Sequence, residues 1–100
     1  MKFFRTIAER IKHGYKIADD CYIAGGGRDE LIVEFKGKKL QISMERLAGG
    51  KPNRVIYPSK DRKWLPPHEH EAVSDVDYHF IIDAVVKSFE SDGEVVECQW

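Results

Sequence analysis

The apolar positions of this chain recur with two different periods, and the change between them lays out its elements. Near the start, Phe3, Phe4, Ile7, Ala8 and Ile11 fall on one arc of a helical wheel, opposite Arg5, Glu9, Lys12 and His13. That spacing predicts a short amphipathic helix with Gly14 as its C-terminal stop. From Asp20 to Glu45 the period drops to two. Tyr22-Ile23-Ala24 lead into a loop, Gly25-Gly26-Gly27-Arg28-Asp29. Leu31, Val33 and Phe35 then alternate with Ile32, Glu34 and Lys36, and after Gly37 so do Leu40, Ile42 and Met44 with Gln41, Ser43 and Glu45. Two alternating runs about a short glycine-containing link predict a β-hairpin, with one apolar face of each strand toward the core.

Residues 47–53 are a loop by their two glycines and Pro52, and Arg54-Val55-Ile56-Tyr57 is a further strand stopped by Pro58. A charged turn (59–63) follows, Trp64-Leu65 has room for a short strand, and Pro66-Pro67 enforces an extended exit. Ser74 opens a second helix, because its hydroxyl can accept from the Asp77 N–H, and Asp75 and Asp77 suit the positive end of the helix dipole. Tyr78, Ile81, Ile82, Val85 and Phe89 form its apolar stripe, with His79, Asp83, Lys87 and Glu90 on the other side. Asp92-Gly93 ends it. Glu94 to Trp100 reads as a last strand, with Val96, Cys98 and Trp100 on one face. The expected fold class is α+β: an antiparallel β-sheet of four to six strands, a meander, with two helices packed on one face.

Chain length sets the next bound. At 100 residues a single domain over residues 1–100 is expected, with one modest core. Apolar residues at 42% and charged ones at 33% are ordinary for a globular protein. No run of 18 apolar residues occurs, so no membrane-spanning helix is expected. Arg5, Glu9 and Arg10 interrupt the N-terminal segment, which excludes a secretory apolar region and makes the cytoplasm the expected location. Cys21 and Cys98 are too few for a disulfide framework and read as reduced, structural thiols.

Charge changes the picture more. Residues 1–63 hold fifteen Lys/Arg against eight Asp/Glu, whereas residues 64–100 hold one basic residue, Lys87, against nine acidic ones. Such asymmetry bears on partners and association rates rather than on fold. The basic half carries no nucleic-acid recognition motif and its lysines are scattered, so they read as solvated surface.

Few residues suggest chemistry. In His68-Glu69-His70-Glu71 an extended backbone would point both histidines to one side, as a metal pair requires. The spacing is not that of H-E-x-x-H, and no third ligand is local. The Gly25-Gly26-Gly27 run lacks phosphate-loop spacing and leads into a strand. No cofactor is expected. The acidic helix offers a different kind of site. His79, Asp83 and Glu90 share an arc away from the apolar stripe, with Asp75 at one edge and Phe80 at the other. Phe80 has two readings, an apolar anchor for a partner or a ring packed beneath the 65–73 loop.

The order of these features resembles a family of small bacterial immunity proteins of polymorphic toxin systems. The resemblance runs over residues 20–99. It comprises the glycine loop with Arg28, the strand ending Ile42-Ser43-Met44-Glu45, then Leu47-Ala48-Gly49-Gly50 and the Val55-Ile56-Tyr57 strand. Trp64, Pro66-Pro67-His68, the Ser74-capped helix and the terminal Glu94-Val95-Val96-Glu97 strand complete it. It implies a cytoplasmic, non-enzymatic protein that neutralises a cognate toxin by binding it. An acidic segment would speed association with a basic toxin domain. Two readings therefore stand: a protein-binding inhibitor acting through Asp75, His79, Phe80, Asp83 and Glu90, or a small metal-dependent or otherwise catalytic domain centred on His68 and His70.

Overall fold

The computed structural model describes residues 15–49 and 51–100, and the helix expected over residues 3–11 lies outside them. Six strands form one sheet in sequence order: β1 (Tyr15–Ala18), β2 (Cys21–Gly26), β3 (Glu30–Phe35), β4 (Lys38–Arg46), β5 (Arg54–Tyr57) and β6 (Val96–Cys98). One helix, α1 (Asp75–Ser91), joins β5 to β6.

The expected hairpin is β3–β4, in register from Glu30 opposite Ser43 to Phe35 opposite Lys38. Its link is the two-residue turn Lys36-Gly37, with φ of +51° and +83°. Positive φ at both turn positions matches the right-handed twist of the strands, and glycine takes it without strain. The glycine run is less of a loop than expected. Gly25 and Gly26 continue β2 past a register shift, and the turn is confined to residues 27–29.

Two expectations about the sheet need correction. It is mixed rather than antiparallel throughout: β1 to β5 form an antiparallel meander, but β6 runs parallel to β5, Val55 beside Glu97. The reason is the connection. An intervening helix carries the chain back along the sheet, so the next strand enters in the same direction as the last. Among the described residues the helix over the sheet is α1, the other expected helix lying outside them. The expected Trp64-Leu65 strand is reduced to one bridge, Lys63 opposite Ala72, within an arm folded back on itself. The arm is tied to β4 by the Leu65 N–H donating to the Lys39 carbonyl (2.8 Å).

Alternation decides what is buried. Cys21, Ile23, Leu31, Val33, Phe35, Leu40, Ile42, Met44 and Ile56 meet the α1 stripe of Tyr78, Ile81, Ile82, Val85 and Phe89 in one core. Burying each such aliphatic or aromatic side chain stabilises by about 1.5–3 kcal/mol. The Ser74 hydroxyl accepts from the Asp77 N–H (3.2 Å), and Gly93 (φ +86°) turns the chain out of α1, as the sequence predicts.

The two tryptophans part company. Trp64 is 6% exposed within the core, and Trp100 is 59% exposed. A Trp100→Phe variant should therefore emit from a tryptophan that resists acrylamide, and Trp64→Phe from one that quenches readily. Free-indole quenching of Trp64 would remove that residue from the core.

Candidate protein-binding surface

α1 turns its apolar stripe inward, so its other side faces solvent. Asp75, His79, Phe80, Asp83 and Glu90 are all exposed, and Val76 is 79% exposed. Val76 precedes His79 by three residues and Phe80 by four, so the three are neighbours on the helix surface.

Phe80 rests one edge of its ring on Phe35 (centroids 5.5 Å, tilted by 42°) and leaves 42% of the residue exposed. It combines a fixed position with an open face. His79 stacks on the Trp100 indole at 4.2 Å, with ring planes 18° apart. Trp100 in turn meets Tyr78 edge-on at 6.0 Å. Trp100, past the end of β6, is thus held over the start of α1, whereas Val96 and Cys98 are half-buried against the core. The result is a strip of Trp100, His79, Val76 and Phe80 along the N-terminal half of the helix. Partly exposed aromatics held in place are the side chains that most often anchor protein contacts.

Arg62, from the basic part of the chain, organises one end of this strip. Its guanidinium lies 4.4 Å over the Tyr78 ring and 6.0 Å from Trp100. It also donates to the Ser59 carbonyl (3.1 Å) and pairs with Asp75. The Tyr78 hydroxyl accepts from the Ser59 N–H (2.8 Å), which closes the arrangement. An open depression beside it is lined by Lys60, Arg62, Lys63, Val73 and Asp75, with charges of both signs.

The charge of the arc is weaker than the sequence segment implied. Asp75 faces Arg62, and Asp83 pairs with Lys87 one turn on (2.9 Å). The Asp83 hydrogen bond, Asp83's charge and that of Glu90 hold the Lys87 ammonium above its ordinary pKa. Glu90 is the one carboxylate of the arc outside an ion pair among the described residues.

The alternative site takes another form. Residues 65–71 are not extended but wound into successive turns, the His68 N–H donating to the Leu65 carbonyl and the Glu71 N–H to the His68 carbonyl (both 3.0 Å). His68 is half-buried, His70 exposed, and the same-side projection expected of an extended strand is lost. Glu71 pairs with Lys38 (2.6 Å), whose hydrogen bond lowers its pKa. Among the described residues no group of three His, Cys, Asp or Glu side chains is placed to hold a metal ion. Burial pushes the Cys21 thiol up to about 11 and raises Cys98 as well, so neither is much ionised at neutral pH.

Sequence reasoning missed Arg62 and Trp100. No spacing along the chain announced that either would reach α1. Among the described residues the surface combines one helix on a sheet with a strip of part-exposed aromatics. The chain belongs to the family Immunity protein 74, whose family model matches residues 23–99. The match begins within β2 and takes in α1, ending one residue before Trp100. No curated protein and no solved structure matches the chain. No helix among the described residues is long and apolar enough to cross a membrane.

Proposed function

We propose that this protein neutralises a cognate bacterial toxin in the cytoplasm by binding it, without chemistry of its own. Membership of the Immunity protein 74 family carries the reading. The contact surface is the outer side of α1. Phe80, Val76 and Trp100 supply apolar anchors, and Asp75, His79, Asp83 and Glu90 form a polar surround. Held aromatics lose little side-chain entropy on binding, and surrounding polar groups exclude water from the anchors.

The test uses the product of a toxin-like reading frame adjacent to the gene. Phe80→Ala is expected to weaken the complex by about 2 kcal/mol or more, the range of an interface hot spot. Asp83→Lys/Glu90→Lys, which keeps the apolar stripe, should slow association with a basic toxin surface, and that rate should fall as salt rises. Tight binding unchanged by both variants would place the interface elsewhere. A toxin that leaves the chain unbound would remove the inhibitory reading.

A further inference from the structure

We propose that Arg62 is a positioning residue of the binding surface: its guanidinium, locked over Tyr78, fixes the Trp100 indole where a partner meets it. Arg62 acts through Trp100 and does not itself touch the partner. This role rests on the inhibitory reading above and deepens it, since it names what prepares that surface.

Burial keeps Trp64 in place, but Trp100 is 59% exposed and has no such support. Its position comes from ring contacts, the His79 imidazole stacked on it at 4.2 Å and the Tyr78 ring edge-on at 6.0 Å. A single aromatic or cation–π contact at an exposed site shifts an equilibrium by only about two- to tenfold. Contacts of that size hold an indole only if the groups making them are themselves fixed.

Tyr78 is fixed from two sides. Its residue is 1% exposed, and its hydroxyl accepts from the Ser59 N–H (2.8 Å). Arg62 covers the ring at 4.4 Å and lies 6.0 Å from Trp100. The guanidinium is itself tied down: Nε donates to the Ser59 carbonyl (3.1 Å) and Nη1 pairs with Asp75. Ser59 thus serves both partners, and the Asp61 N–H donating to its hydroxyl (3.0 Å) closes the turn that presents it. Only arginine meets all three demands at once. A planar guanidinium donates in its plane to a carbonyl and a carboxylate while its face lies on a ring, where an ammonium is a compact point charge.

Two measurements test the role. The first needs no partner: the order parameter of the Trp100 indole N–H and the chemical shifts of the His79 ring protons, with Trp64→Phe assigning the indole signals. Arg62→Ala and Arg62→Lys should both lower the order parameter and reduce the ring-current shifts at His79, with the denaturation midpoint near that of the parent. The second is binding to the product of the toxin-like reading frame adjacent to the gene. Each variant should weaken the complex about fivefold, as expected for freeing one side chain that must be immobilised again on binding. In a Trp100→Ala background, Arg62→Ala should add no further loss. An indole equally ordered in both variants would overturn the proposal. So would an undiminished loss without Trp100, which would mean that Arg62 meets the partner directly, or parent-like binding by Arg62→Lys, which would leave only the charge pair with Asp75. A toxin that does not bind the parent chain would overturn the inhibitory reading and the binding role with it, while the order parameter still decides whether Arg62 holds the indole.

Discussion

Arg54→Ala is expected to destabilise the protein by about 3–5 kcal/mol, the cost of leaving one partner of a buried ion pair alone. The Arg54 side chain is 4% exposed and that of Glu94 16%, and the Arg54 Nε donates to Glu94 Oε1 at 2.7 Å. The guanidinium also lies 4.2 Å over the Phe89 ring and reaches the Met44 sulfur at 3.7 Å. One side chain on β5 thereby ties together β4, the end of α1 and the approach to β6. Glu94 Oε2 is buried with no hydrogen-bond partner among the described residues. Removing the arginine would therefore strand a carboxylate that is already only half satisfied. The same physics makes a second measurement informative. Arg54→Met/Glu94→Leu replaces both charges by apolar groups of similar length, and it should recover most of the loss. Denaturant unfolding of the two variants decides the matter, and a single variant within about 1 kcal/mol of the parent would show that the pair does not bear on stability.

Ile82→Ala should cost about 2–5 kcal/mol, the range for deleting a large aliphatic side chain from a packed core. Ile82 is 2% exposed, between the fully buried Ile81 and Val85, on the side of α1 that closes over the sheet. Both the transfer energy of the lost atoms and the cavity they leave contribute, because the surrounding strands cannot collapse freely. For a chain of 100 residues this lowers the melting temperature by at least about 8 °C. An unaltered denaturation midpoint would mean that the helix face is wrongly assigned.

Most of the framework was legible because it rests on local periodicity. The β3–β4 hairpin, the Ser74 cap, the inward stripe of α1 and its stop at Asp92-Gly93 were each written in residues close in sequence. β1 escaped because Tyr15 and Ile17 flanking Lys16 give too short an alternation to establish a period. The extended reading of residues 68–71 failed because side-chain composition says little about backbone that folds into turns.

The sequence by itself determined which faces are apolar, where the β3–β4 hairpin and α1 lie, and that the class is α+β. Hydrophobic burial and capping act over a few residues, so their signals survive in one dimension. Only the tertiary structure decided the direction of β6, which follows from the path of the chain over the sheet rather than from any residue in the strand. It likewise decided the electrostatics. Arg62, from the basic half of the chain, compensates Asp75 on α1, and Lys87 compensates Asp83. A segment's net charge is a sum along the chain, but a surface potential is a sum over distances, and only folding sets the distances.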